Sequence, residues 1–268
     1  MCMAKILFIG DIVGKPGRKA LKEVLPMWRE KYSPDVVIVN VENMAHGKGV
    51  TPLTMKDIQE LNIDCYTSGN HVFDKGDLSK ETFEKYDNLI RPANYPSDLP
   101  GYGYFRFSKN DEQYLILNLN ATVFFEKQFH GGISSPFAAL DLLLSEQSQK
   151  GDIIFIDFHS EATSEKVAFG FYCDGRVTAV AGTHTHVPTA DARILPKGTA
   201  YISDVGMTGP VNSVIGVKIE NSLNIFLGTG KFVMEPEEEG PIGVNGILVT
   251  VGENQKAKKI EKLYKEVN

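Results

Sequence analysis

The sequence predicts an α/β fold, and three observations carry that prediction. Short apolar runs alternate with amphipathic segments along most of the 268 residues. One apolar run after another ends on a side chain able to bind a metal. The composition, 42% hydrophobic and 23% charged, suits a chain that buries a core, and lies well away from the polar mix of disordered proteins.

Residues 5–9 (KILFI) read as a first strand. Residues 18–32 (RKALKEVLPMWREKY) read as a helix with Leu21, Val24, Leu25 and Trp28 at helical spacing and a kink at Pro26. Residues 36–41 (VVIVNV) give a second, buried strand. Thr51 then caps a helix that starts at Pro52 and runs through Met55, Ile58 and Leu61, because a cap hydroxyl satisfies an orphan amide and proline at the first position has none. Residues 64–67 (DCYT) follow as a third strand. Residues 102–107 and 114–119 (YLILNL) read as an antiparallel pair about the polar turn 108–112. Alternation then resumes: a helix through Leu140 and Leu144, a strand at 153–158 (IIFIDF), a helix at 164–172, and strands at 177–181, 200–203, 244–251 and 259–267. With no internal repeat and no Pro/Gly/Ser linker, one domain over residues 1–268 is expected. The acidic stretch 235–239 (EPEEE) reads as a solvated loop.

Charge and cysteines narrow the class. With 28 Lys plus Arg against 34 Asp plus Glu, the net charge of −6 is scattered, so duplex nucleic-acid binding is not expected. Cys2, Cys65 and Cys173 form no C-x-x-C pair; neither a disulfide framework nor a thiolate zinc site is indicated, and a reducing cytoplasm fits. The opening MCMAKILFIG is too short in apolar residues for a secretory segment or a membrane span, so no membrane partner is expected.

The positions of the polar residues are the informative part. Asp11 follows KILFIG; Glu42 and Asn43 follow VVIVNV; Asn70 and His71 follow DCYTSG; His159 follows IIFIDF; His184 and His186 follow the run ending at Gly182. In open α/β sheets ligands bind beyond the carboxyl ends of the strands, so these side chains are expected to converge. Carboxylate, amide and imidazole together suit hard or borderline metals. The lack of thiolate favours iron or manganese while allowing zinc. His184-Thr185-His186 is the most specific local piece, since residues two apart on an extended backbone point the same way. His46 and His130 follow no strand and are read as loop histidines. The glycine-rich start GDIVGKPG fails as a phosphate loop, because three residues rather than four separate its glycines and Pro16 follows Lys15. A metal carboxylate explains Asp11 better.

Taken in order, Gly10-Asp11, the carboxylate after the second strand, Gly69-Asn70-His71, His159 and Gly182-Thr183-His184-Thr185-His186 resemble the motif set of the calcineurin-like binuclear metallophosphoesterases. GDIVG, VEN, SGNHVFD, DFHSEATSEK, GTHTHVPTAD and YISDVGMTGP are similar to its YmdB branch, whose members are cyclic-nucleotide phosphodiesterases. The resemblance implies a four-layer α/β/β/α sandwich with YLILNL and the C-terminal strands in the second sheet. It also implies two metal ions per chain: Asp11, Asn43 and His186 on one, Asn70, His159 and His184 on the other, and Glu42 bridging. Val13 stands where the wider superfamily has a histidine, and Asn43 fills that vacancy with an amide oxygen. His71, left free, would be the general acid while a bridging hydroxide attacks phosphorus. The implied substrates are small phosphodiesters such as 2′,3′-cyclic nucleotides, with 3′,5′-cyclic nucleotides also open. Two alternatives stand beside this: a metal-dependent amide hydrolase, and a nucleotide-sensing regulatory protein with slow turnover. A homo-oligomer is left open. Asp204 and Thr208 are expected along the pocket, and Glu161 and Glu165 either behind the histidines or as helix-start acids.

Overall fold

A computed structural model describes residues 4–125, 127–128, 132–230 and 235–268; Cys2 and His130 lie outside the described residues. Along the chain, β1 (Lys5–Ile9) leads to α1 (Gly14–Tyr32), β2 (Val36–Asn40), α2 (Pro52–Lys56), β3 (Cys65–Thr67) and α3 (Asp77–Lys85). An antiparallel pair, β4 (Tyr104–Lys109) and β5 (Glu112–Asn120), precedes α4 (Pro136–Gln147), β6 (Ile153–His159), α5 (Thr163–Cys173) and β7 (Ala179–Thr183). The short strands β8 (Arg193–Ile194), β9 (Ala200–Ile202) and β10 (Gly209–Pro210) come next. They are followed by α6 (Ile219–Phe226), β11 (Ile242–Val251) and β12 (Ala257–Val267).

Two six-stranded sheets result. In the first, β1, β2 and β3 run parallel, β11 pairs antiparallel with β1, and β12 lies along the other edge of β11. The second has the order β4-β5-β6-β7-β9-β8, parallel from β5 through β9. The period-two alternation of each strand shows how the sheets stack. Leu7, Ile9, Val37 and Val39 face a core shared with Leu21, Val24 and Leu25 of α1. Their neighbours Ile6, Phe8, Val36 and Ile38 face Tyr114, Ile116, Ile153 and Phe155 of the other sheet, where the Phe8 and Phe155 rings sit 5.1 Å apart. Leu115, Leu117, Ile154 and Ile156 turn to a third core with Leu140 of α4 and Phe169 of α5. Three apolar layers separate four layers of secondary structure, which is the expected α/β/β/α sandwich.

One placement is corrected. The C-terminal strands join the first sheet rather than the second, because β11 lies against β1 from Lys5↔Thr250 to Ile9↔Gly246. In that register Ile247 and Val249 reach the layer between the sheets, while Val244 and Leu248 reach α1. The helix expected from Pro52 through Leu61 ends at Lys56 and continues as a 3-10 turn over Gln59–Leu61. Its cap is as expected, with Thr51 Oγ1 accepting from Thr54 N at 3.2 Å. Pro26 lies inside α1, on its exposed face. Among the described residues no helix is long and apolar enough to cross a membrane.

Candidate metal centre

Six strands, three from each sheet, deliver polar side chains to one place. Asp11 lies two residues past β1, Glu42 and Asn43 just past β2, and Asn70 and His71 past β3; His159 ends β6, His184 and His186 follow β7, and Asp204 follows β9. Asp11, Glu42, Asn43, His159 and Asp204 are buried. The sheets meet here at their carboxyl edges, as the sequence suggested.

The geometry brings together all the residues predicted for the site. Glu42 lies at its centre. Its Oε1 is 3.2 Å from His159 Nε2 and 3.0 Å from Asn43 Nδ2, and its Oε2 accepts from the His71 backbone amide at 3.1 Å. On one side His159 Nε2 stands 2.7 Å from Asn70 Oδ1 and 3.0 Å from His184 Nδ1. On the other, Asn43 Nδ2 stands 3.1 Å from His186 Nε2. Asp11 Oδ2 accepts from the His184 amide at 3.3 Å. Glu42, His159 and His184 each offer a donor atom within 4.8 Å of the others'.

The expectation of an extended His184-Thr185-His186 does not hold. His184 has φ +100° and His186 φ +66°, so the segment is a left-handed turn rather than a strand. Buried Asp204 holds that turn. Its Oδ2 accepts from Thr185 N (3.1 Å), Thr185 Oγ1 (2.8 Å) and Lys166 Nζ (2.6 Å), while Lys166 also donates to Thr183 O at 2.9 Å. The turn sets the His184 ring beside His159 and the His186 ring beside Asn43.

The surrounding groups fix the rings. His159 Nδ1 meets Thr183 Oγ1, His184 Nε2 meets Glu161 Oε2 at 3.1 Å, and His186 Nδ1 meets Ile215 O at 2.8 Å. In each case a partner on one nitrogen leaves the other for the centre. Glu161 therefore backs a histidine, but Glu165 does not; it accepts from Thr122 N, Thr122 Oγ1 and Val123 N. Thr208 meets Asp11 through its backbone amide, 2.7 Å from Asp11 O. His71 stands beside the cluster with its Nδ1 2.8 Å from Asp74 Oδ2. Sequence reasoning missed Asp74, Thr183 and Lys166. Only Asp74 left a local signal, its spacing of three after His71 within a turn.

Two observations test whether this donor set fits a metal. Asp11 Oδ1 and Asn43 Oδ1 are buried and have no hydrogen-bond partner, which buried polar atoms rarely tolerate. The protonation states are also set against one another. Burial pushes the Asp11 carboxyl well up. Burial opposes ionisation of Glu42 too, but neighbouring His159 outweighs it and holds that carboxyl well below its usual range. Burial, helped by the nearby His159 charge, drives His184 down to about 2. Neutral His184 and His186, a charged Glu42 and the unsatisfied Asp11 and Asn43 oxygens are forms that bind cations. Asp11, held up by burial, and His159, which burial would lower but Glu42 and Asp11 hold up, would each release a proton to a bound cation. The residues fit.

Opposite this centre, at the other ends of β1 and β6, a cavity of about 1010 Å³ is lined in part by Ala4, Tyr114, Ile153 and Val251. None of the predicted residues reaches it.

Comparisons with known proteins identify the family and the fold. Residues 7–263 match the family described as YmdB-like protein. A 2′,3′-cyclic-nucleotide 2′-phosphodiesterase of Bacillus subtilis (strain 168) is 44% identical over 263 residues, 97% of this chain and 96% of the relative. The crystal structure of a phosphatase from Mycoplasma pneumoniae superposes with a TM-score of 0.91 at 36% identity, covering 99% of this chain and 94% of that one. An NAD nucleotidase of Haemophilus influenzae shares the fold at 15% identity and a TM-score of 0.57, over 98% of this chain and 56% of its own.

Proposed function

The chain belongs to the YmdB-like family, and from that premise we propose that it is a binuclear metal-dependent phosphodiesterase acting on small phosphodiesters such as 2′,3′-cyclic nucleotides. The observation that carries this reading is the position of Glu42. One carboxylate oxygen reaches both His159 and Asn43, so it stands between two groups of donors.

Asp11, Asn43 and His186 would hold one ion and Asn70, His159 and His184 the other, with Glu42 between them. When bound, two such ions lower the pKa of water toward neutrality and offset phosphate charge. The oxygen-rich first group favours iron or manganese, with zinc admissible.

The chain's own groups do the rest. Asp204 and Lys166 hold the turn that points His184 and His186 inward. Asp74 Oδ2 accepts from His71 Nδ1, so the proton that would go to the leaving alkoxide is the second one, on Nε2 of the imidazolium form. His71 serves as the acid because its backbone amide is anchored on Glu42 while its side chain stays one-quarter exposed, at 24%. Phe125 packs edge-on against His184.

Metal analysis of the purified protein, coupled to a screen of phosphodiester substrates, tests the reading. Two ions per chain and ester hydrolysis, both lost in Glu42→Ala, are expected. A metal-free protein that still hydrolyses the ester would overturn it.

A further inference from the structure

After β5 the described residues 121–125 and 127–128 pass beside the metal centre, tied to it at both ends. The Ala121 amide donates to His159 O at 2.9 Å, and Gln128 Nε2 donates to Asn70 O. Between those ties, Glu165 accepts from both the Thr122 and Val123 amides, at 2.9 and 3.0 Å. Phe125 turns inward. It is 8% exposed, and its ring lies 5.1 Å from that of His184 and 6.4 Å from that of His159.

Phe124 does the opposite. Its side chain is 74% exposed and its backbone has φ +72°, the left-handed region that bulky residues avoid. Burial does not account for an aromatic ring here, and backbone preference opposes it. Strained residues of this kind cluster where a ligand is handled. Phe124 is also one residue, about 3.8 Å of backbone, beyond the ring that touches His184.

We propose that Phe124 is the platform on which the base of a nucleotide substrate stacks, making it a specificity-determining residue. The inference rests on the phosphodiesterase reading and extends it from the phosphate to the base. A phosphate at the metal centre would leave ribose and base to project toward solvent past the segment that Ala121 and Gln128 tie to His159 and Asn70, and Phe124 is the exposed ring of that segment. Because every base has a π-face, the platform favours nucleotides over base-less phosphodiesters and discriminates weakly among bases.

Two measurements test it. The first compares kcat/KM for adenosine 2′,3′-cyclic phosphate with that for glycerol 1,2-cyclic phosphate, which has the same phosphate ring and no base. In Phe124→Ala the ratio should fall about tenfold, within the range seen for loss of base stacking, and in Phe124→Tyr it should stay. An unchanged ratio in Phe124→Ala overturns the platform and leaves the phosphodiesterase standing. Failure of the wild-type protein to hydrolyse either ester would sink both. The second measurement needs no turnover. Phe124→Trp adds an exposed indole to the buried Trp28 of α1, which is 5% exposed. Adenosine 2′-monophosphate should quench the new emission and glycerol 2-phosphate should not. Equal quenching by the two, or none by the nucleotide, overturns the proposal.

Discussion

Thr183 Oγ1 lies 3.0 Å from His159 Nδ1 and so fixes which nitrogen of that histidine faces the metal centre. The threonine hydroxyl gives its own proton to Asp157 Oδ1 at 2.7 Å, so it must accept from the ring. Asp157 in turn receives Thr67 Oγ1 and Asn40 Nδ2 from the other sheet. Burial pushes this carboxyl up to about 6 despite those hydrogen bonds. One acid thus ties β2, β3, β6 and β7 together directly behind a proposed ligand.

Replacing Thr183 by valine keeps the volume and removes the relay. Metal affinity is expected to fall about 10–100-fold, the usual cost of losing a group that orients a ligand. Thr183→Ser should retain it. Titration calorimetry with Mn²⁺ measures both; equal affinities for wild type and Thr183→Val would show that the hydroxyl does not orient the ring.

Gly69 sits directly against two side chains of the site. A Cβ there would lie 2.3 Å from Glu42 Oε2 and 2.5 Å from the His159 ring, closer than real contacts allow. Gly69→Ala is therefore expected to displace Glu42 and His159 and to lose bound metal and turnover together. The far-ultraviolet circular dichroism spectrum should remain, since Gly69 lies beyond the end of β3. Full metal content in this variant would contradict the packing.

The catalytic role proposed for His71 is separable from metal binding. His71→Ala should retain both ions and lose about 10²–10⁴ in kcat toward an alkoxide leaving group. With a nitrophenolate leaving group, which needs no proton, most of that loss should disappear. Asp74→Asn should lower kcat less than His71→Ala does, since an amide oxygen can still accept from Nδ1. An equal loss of His71→Ala activity on both leaving groups would remove His71 from the role of acid.

The strand ends were legible because apolar runs stop where a polar ligand begins, as at Gly10-Asp11 and Val41-Glu42-Asn43. The support behind them was not, because Thr183, Asp157 and Lys166 acquire meaning only when distant strands and helices pack together. The His184–His186 turn was misread for the same reason: its positive φ values are stabilised by Asp204, 19 residues on from Thr185 and beyond two further strands. Two helices also went unread. α3 buries only Ser79, Thr82 and Phe83, so it carries no apolar period. α6 leaves Ile219, Leu223 and Phe226 exposed, so its apolar residues do not mark a core face. The sheet of the C-terminal strands was misassigned because antiparallel pairing with β1 is a long-range choice that β11's near-continuous apolar run does not encode.

Metal loading should raise stability. Any ligand that binds only the folded chain contributes RT ln(1 + [L]/Kd), about 2.7 kcal/mol per site at a hundredfold excess over Kd. Scanning calorimetry should show a higher melting temperature with excess Mn²⁺ than with a chelator. The gap should shrink in Asn43→Leu, which removes the unsatisfied amide oxygen from one group of donors. A gap of full size in that variant would remove Asn43 from the ligand set.

Away from the site, Asp57 gives a pH-dependent stability whose sign can be worked out. Its carboxylate sits at the end of α2, with Oδ2 2.8 Å from Arg18 Nε and Oδ1 bonded to Lys22 Nζ, both on α1. Burial alone would raise its pKa, but the hydrogen bonds from Lys22 and Arg18 win and hold it below the ordinary value. A carboxyl depressed in the folded state contributes stability above the unfolded pKa of about 3.9, and loses it as the pH falls through the folded value. Asp57 is 37% exposed, so solvent screening keeps the contribution under about 1 kcal/mol. Urea unfolding of wild type and Asp57→Asn should differ by that amount at pH 7, converge as the pH falls below the folded carboxyl's value, and differ less at high salt. Comparing the two proteins at each pH cancels the acid sensitivity that both share through the metal centre. A difference that persists unchanged in acid that protonates the folded carboxyl would mean that packing, rather than charge, ties Asp57 to α1.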